Sequence, residues 1–366
     1  MRGDNVWRRA FFAVVVAAAL VVGGPAATAV AGGQNSPMIG DVDGDGLADR
    51  ATLVADAPGE CAVRVELAEP GGGYGTPATY TWPDESGIGY CPDMGVVVDL
   101  ESDGAAELVV GWFWLRPPGY PTELIVLRDF TPAGGFDALY QPSYVGVSDF
   151  NGDGRPDIYE YTDQGDGFVT FLNTGPGELV PGPVNYACFD PFTHELTDFD
   201  GDGATDVLLP FGGGLEGVDN GVVILRDGGQ RLYLHQLDDE YHAWNAAVVD
   251  ADSDGTRDVR TVDETTGEVT HFIGDGLGGF AESPAATTDI VQVPHLGQKT
   301  ISILVNDVVT SAVTFDIVTP PTQGVIVKTN GKGFVYRNDV NQDDSFVYRL
   351  TQDGKSVTAT AYLRVR

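Results

Sequence analysis

The chain has 366 residues, 42% of them hydrophobic, and sets 54 acidic side chains against 20 basic ones for a formal net charge of −34. That apolar share is enough to build packed cores, which excludes a disordered polyelectrolyte. The charge excludes a broad positive face for nucleic acid or anionic lipid and favours cations as partners.

In chain order, residues 1–31 read as an export signal, with Arg2, Arg8 and Arg9 in a basic start, an apolar run from Ala10 to Val22, and small residues ending Ala29-Val30-Ala31. The apolar run is too short to span a bilayer comfortably. Arg8-Arg9-Ala10-Phe11-Phe12 also resembles the twin-arginine export pattern. The expectation is a secreted, extracellular protein. Beyond the signal, residues 32–291 hold 9 arginines against 47 acids, whereas residues 292–366 hold 8 basic residues, including all four lysines, against 6 acids. This shift predicts two domains, 34–289 and 292–366. Three cysteines allow at most one intramolecular bridge; Cys61 and Cys91 flank one repeat unit and can pair within it, leaving Cys188 over.

Five nine-residue stretches organise the acidic region. They begin at Asp41, Asp99, Asp149, Asp198 and Asp250, a spacing of 49 to 58 residues. Each lies between two apolar runs, and two further strand-like runs complete the unit, such as Leu124–Leu127 followed by Ala138–Tyr140, or Gly221–Leu225 followed by Leu232–Leu234. Turn sequences such as Leu172-Asn-Thr-Gly-Pro-Gly separate them. Four short strands per unit predict an all-β fold, a β-propeller of about five blades, with an open solenoid as the alternative. The short run Met38–Gly40 before the first motif suggests that ring closure borrows a later strand, Ile290–Val293.

The motif carries acidic or amide side chains at positions 1, 3, 5 and 9: Asp41, Asp43, Asp45 and Asp49; Asp99, Glu101, Asp103 and Glu107; Asp149, Asn151, Asp153 and Asp157; Asp198, Asp200, Asp202 and Asp206; Asp250, Asp252, Asp254 and Asp258. Glycine always holds position 6, where the backbone must bend. Alternate positions of a tight loop aim oxygens at one point, and hard oxygen donors without His or Cys select Ca²⁺ over zinc or copper. Asp-Gly pairs also form ordinary hairpin turns, but five loops of one spacing predict about five Ca²⁺ sites.

These loops, their period and the Leu-Asn-x-Gly-x-Gly turn resemble the FG-GAP/VCBS repeats of bacterial secreted proteins, which are related to integrin α-subunit propellers. The resemblance implies that the position-7 carbonyl, from Leu47, Ala105, Arg155, Ala204 and Thr256, completes each calcium site. The C-terminal stretches Leu304-Val-Asn306-Asp307, Pro320-Pro321-Thr-Gln-Gly324 and Asp344-Ser-Phe346-Val-Tyr348 resemble a bacterial Ig-like, cadherin-like domain, which implies a small sandwich. There Asn306 and Asp307 read as a turn before a cation site.

No nucleophile elbow, zinc-protease helix or phosphate loop is present in the sequence. The five histidines, among them His194 and His242, occur singly. Trp112-Phe113-Trp114, Tyr80-Thr81-Trp82 and Tyr241 with Trp244 read mainly as packing between sheets, with a sugar-stacking surface as the lesser reading. The expected function is a non-catalytic calcium-binding or adhesion module for an extracellular glycan or protein. The alternative is a carbohydrate-active enzyme using acids outside the loops, such as Asp238 or Glu240.

Overall fold

The computed structural model describes residues 31–366 apart from 35, 58, 88, 114–115, 139–141, 163–166, 186–193, 216–217, 227–228, 238–241 and 331–332. The export signal, Cys188, Asp238 and Glu240 therefore lie outside the described residues. Among those described there is no α-helix, and none long and apolar enough to cross a membrane. The chain forms two compact units, one made by residues up to Trp112 with Pro117–Phe136, the other by Phe113–Arg116 with Asp137–Arg366.

The first unit contains two sheets. β2 (Met38–Gly40), β3 (Asp49–Ala57), β4 (Glu60–Glu66) and β5 (Ala78–Pro83) form an antiparallel meander. β6 (Met94–Val98), β7 (Glu107–Gly111), β8 (Leu124–Arg128) and β9 (Thr131–Phe136) form a second, and β1 (Gly32–Gly33) adds to its edge beside β6. The fourth strand of this sheet is Thr131–Phe136; the run expected at Ala138–Tyr140 lies largely outside the described residues. The turn falls at Asp129 and Phe130, both at positive φ, a conformation that aspartate favours but a bulky phenylalanine does not advertise. Every residue of β6 and β7 is buried, so both sheet faces are covered, and their near-continuous valines replace the alternation of a one-sided strand. Val63, Val65 and Trp82 of the first sheet share a core with Leu108, Val110 and Trp112 of the second. Just past β7, Trp112 is buried and Phe113 is exposed. The Cys61–Cys91 pairing that the sequence allowed is present and joins β4 to the segment leading into β6.

The second unit repeats the meander three times. Its sheets are β10 (Tyr144–Ser148), β11 (Asp157–Thr162), β12 (Gly167–Gly175) and β13 (Glu178–Pro181); β14 (Glu195–Thr197), β15 (Asp206–Leu215), β16 (Val218–Arg226) and β17 (Gln230–Leu237); and β18 (Trp244–Val249), β19 (Asp258–Asp263), β20 (Glu268–Gly274) and β21 (Phe280–Ser283). The middle sheet shows how stacking works. Val207, Leu209 and Phe211 of β15 pack on Tyr159, Tyr161 and Phe168 of the preceding sheet, whereas Leu208, on the opposite face, joins Val259 and Phe272 of the following one.

Two further sheets complete this unit: β22 (Asp289–Val293), β28 (Lys355–Val365), β27 (Asp344–Gln352) and β24 (Thr314–Thr319) in the order β22-β28-β27-β24, and β23 (Gln298–Ser302), β26 (Gly333–Asn338) and β25 (Gly324–Asn330) in the order β23-β26-β25. Phe334 and Tyr336 from one and Phe346, Tyr348 and Leu350 from the other share a core. Ile290–Val293 lies in β22 and pairs in parallel with β28, so it closes no ring. β1, from the start of the acidic region, adds instead to the edge of the second sheet beside β6.

Candidate metal-binding loops

Each nine-residue motif connects the first and second strands of its sheet, and position 9 is the first residue of the second strand: Asp49, Glu107, Asp157, Asp206 and Asp258. Position 2 anchors the loop from below. Val42, Leu100, Phe150 and Phe199 are buried there, leaving positions 1, 3 and 5 on the outer rim. The chain can wind this tightly because positions 4 and 6 are both left-handed, at Gly44 and Gly46, Gly152 and Gly154, and Gly201 and Gly203. Position 4 had no sequence signal beyond its frequent glycine. In the second and fifth loops it is Ser102 and Ser253, held at φ 56° and 66°.

The rim carboxylates close the loops on themselves. In the first loop Asp41 accepts hydrogen bonds from the amides of Gly44 and Gly46 at 2.8 and 2.7 Å, Asp43 from Asp45 at 3.2 Å, and Asp45 from Leu47 at 2.8 Å. The same ladder recurs elsewhere: Asp149 accepts from Gly154 at 2.8 Å and Asp198 from Gly203 at 3.1 Å. The position-7 amides of Ala105, Arg155, Ala204 and Thr256 all donate to the position-5 carboxylate. Each sequence-predicted rim residue is therefore on its loop, most of them oriented by local amides.

Position 9 has a different environment, which spacing did not reveal. Its carboxylate turns inward to the amide of position 2, at 2.9 Å for Asp49 to Val42, Glu107 to Leu100 and Asp206 to Phe199, 2.8 Å for Asp157 to Phe150 and 2.7 Å for Asp258 to Ala251. In three loops its second oxygen accepts an amide from near or at the end of the third strand, Ala68, Asn173 or Gly274. One carboxylate thus clasps loop and sheet together. Burial raises the pKa of Asp49, Glu107 and Asp157, and lifts Asp206 to about 7, with Asp200, Asp202 and Asp198 adding repulsion. Burial raises Asp200 and Asp252 as well, with their loop neighbours contributing.

Three of the loops bring oxygens together in a way that suits a cation. One oxygen from each of Asp41, Asp43 and Asp45, of Asp198, Asp200 and Asp206, and of Asp250, Asp252 and Asp254 lies within 4.8 Å of the others. Oxygens that share a Ca²⁺ at 2.3–2.6 Å fall within about that span. The other two loops carry arginine. Arg128 from the end of β8 reaches Glu101 at 2.8 Å and Glu107 at 3.8 Å, and Arg155 pairs with Asp153 while its Nε donates to the Asn173 carbonyl at 2.7 Å. Arg226 stands 3.8 Å from Asp200 in the fourth loop.

Within each unit, neighbouring loops are also joined. The position-1 carbonyl of one accepts the position-8 amide of the next, Asp41 from Ala106 at 3.0 Å and Asp149 from Thr205 at 2.7 Å. Away from the loops, His242 hydrogen-bonds Asp263 at 2.8 Å and His235 stacks on Trp244 with ring centroids 4.2 Å apart. Burial opposes ionisation of Asp263, but hydrogen bonds from Thr266, His242 and Thr265 outweigh it and hold the pKa at about 2.

Residues 149–209, which contain the third and fourth loops, match the FG-GAP-like repeat. No curated protein matches the chain. Similar solved structures include a SusE-like surface located polysaccharide binding protein from the Bacteroides thetaiotaomicron heparin utilisation locus, 12% identical over 61% of this chain and 42% of that one, with a TM-score of 0.17. Another is an endo-fucoidan hydrolase from glycoside hydrolase family 107, 12% identical over 62% of this chain and 37% of that one, with a TM-score of 0.19. The chain spans less than half the length of either.

Two outcomes follow from the clasp. In chelator, Asp157→Ala strands the Phe150 and Asn173 amides and lowers unfolding free energy by about 2–4 kcal/mol, whereas Asp153→Ala on the rim changes it by less than about 1 kcal/mol; urea denaturation of both variants distinguishes them. Asp206 binds its proton more tightly folded than unfolded, so its stabilising effect is complete below about pH 4 and is lost as pH rises through about 7. The metal-free chain accordingly loses up to about 1.4 kcal/mol per pH unit over that window from this group, and Asp206→Asn removes that part of the slope.

Proposed function

We propose that the chain is a secreted, calcium-stabilised binding or adhesion module in which the five acidic loops hold Ca²⁺ and the sheets present a ligand surface. The observation that carries this reading is the convergence of three carboxylate oxygens within 4.8 Å in the first, fourth and fifth loops. Like charges so close repel by about 1–4 kcal/mol per pair, depending on the local dielectric, and the loop amides that orient them only partly offset that. Calcium supplies the missing positive charge, with the side chains at positions 1, 3, 5 and 9 and the carbonyl at position 7 as its ligands. At position 9 each oxygen keeps a second lone pair beside the amide it accepts. In the second and third loops Arg128 and Arg155 already neutralise one acid each, so those loops bind calcium more weakly than the first and fifth.

The five consecutive meanders, with the first loop joined to the second and the third to the fourth through position-1 carbonyls and position-8 amides, favour a propeller over residues 34–289. The two sheets sharing one core over residues 292–366 favour an Ig-like sandwich acting as spacer. A glycan or a cell-surface protein is the ligand class proposed for the propeller, and catalysis is the lesser reading because the rim acids are held ionised by the cation and unavailable for proton transfer.

Thermal melting tests the calcium reading. Calcium at a hundredfold excess over Kd adds about 2.7 kcal/mol per site, so the midpoint falls by many degrees in chelator and recovers on adding Ca²⁺ but not Mg²⁺. Retention on a glycan array in calcium, lost in chelator and without turnover of the bound glycan, separates adhesion from enzymatic action.

A further inference from the structure

A second kind of oxygen cluster lies where the chain passes from the fifth sheet into the C-terminal pair. Asp289 opens β22 and is 6% exposed, Asp307 follows β23, and Tyr348 projects from β27 into the core between the sheets. Their polar atoms converge. The Tyr348 hydroxyl lies 3.0 Å from Asp307 Oδ2 and 3.1 Å from the Thr287 carbonyl, and the Asp289 carboxylate stands beside the same hydroxyl. Asn306 approaches from the turn and donates to the Thr288 carbonyl at 3.3 Å.

The donors do not suffice for these acceptors. A tyrosine carries one hydroxyl hydrogen, yet three acceptors surround this one. Asp307 receives one further donor, the Thr287 amide at 2.6 Å, but the Oδ2 atom of Asp289 is fully buried and has no partner. Among the described residues no lysine or arginine pairs with either acid. Asp344, in the same sheet pair, shows what a satisfied buried carboxylate looks like here. It accepts the amides of Thr322, Gln323, Gly324 and Ser345 and the Tyr336 hydroxyl. An unpaired buried carboxylate oxygen is costly unless a charge or donor meets it, and a second carboxylate facing the same point raises that cost.

The geometry points to a divalent-cation site formed by Asp289 and Asp307, separate from the five loops and independent of whether those bind calcium. Two carboxylates, the Thr287 carbonyl and the Asn306 side-chain oxygen are hard donors of the kind Ca²⁺ takes, with water filling the remaining positions. Thr287, Thr288 and Asn306 are exposed, which leaves an entry path on one side. An ion here would pin the connection after β21 to the turn after β23, fixing the C-terminal sheets to the strand that enters them. The turn expected at Asn306 and Asp307 is present, and its carboxylate has this further use.

Calcium titration of the chelator-stripped full chain, by calorimetry with Ca²⁺ as the probe, tests the assignment. Asp289→Asn and Asp307→Asn each bind one fewer calcium than the wild type, while Asp250→Asn with Asp252→Asn removes a different ion and the losses add. An unchanged count in Asp289→Asn overturns the site, and so does a variant equally stabilised with and without calcium, since the two acids then merely share a proton. Failure of the loop reading looks different: the loop variants leave the count unchanged while Asp289→Asn still lowers it. Should Asp289→Asn not fold, anomalous scattering from a Tb³⁺-soaked crystal of the wild-type chain decides, a peak between Asp289 and Asp307 supporting the site and its absence overturning it.

Discussion

The repeated structure depends on a buried carboxylate at the start of the second strand of each sheet. Asp157 shows its full role: one oxygen holds the Phe150 amide and thus the loop, and the other holds the Asn173 amide and thus the third strand. Burying an ionised group is costly unless it is paired, so each repeat is built around a charge that one or two backbone donors only partly offset. The upward pKa displacement of Asp49, Glu107, Asp157 and Asp206 is the signature of that incomplete compensation. The rim acids outside add further negative potential. Sheet packing and loop charge are therefore coupled through one residue per repeat.

The chain manages this charge in more than one way. In the second and third loops an arginine meets a rim acid, and in the fourth Arg226 stands farther off, whereas no such contact is described for the first and fifth. Exposed ion pairs contribute little to stability by themselves, but a guanidinium resting on a loop carboxylate lowers the negative potential that draws in a cation. Five loops of nearly identical sequence spacing are for this reason not five equivalent electrostatic environments. The 19 loop acids account for less than half of the 47 between residues 32 and 291, and the remainder keep the surface strongly anionic.

Much of the architecture was legible in the sequence because it repeats. Motif spacing located every loop, and the flanking apolar runs located the strands that position it. What stayed hidden depended on contacts between segments distant in the chain. The left-handed Ser102 and Ser253, the turn at Asp129 and Phe130, and the third-strand amides that meet position 9 leave no periodic trace. The pairing of Ile290–Val293 is of the same kind: its partner β28 lies more than sixty residues onward, and the Gly32–Gly33 pair that joins β6 has no side chains to advertise it. The donor deficit at Asp289 likewise appears only when three segments meet.

The number of calcium ions carried by the intact chain tests most directly whether the loops need a cation. Native mass spectrometry at saturating calcium is predicted to show at least five bound ions. The first to be lost on dilution come from the loops that hold arginine, so Arg155→Ala retains its third-loop ion longer than the wild type. A chain that carries no calcium under these conditions, and whose fold is unchanged without it, would contradict the account.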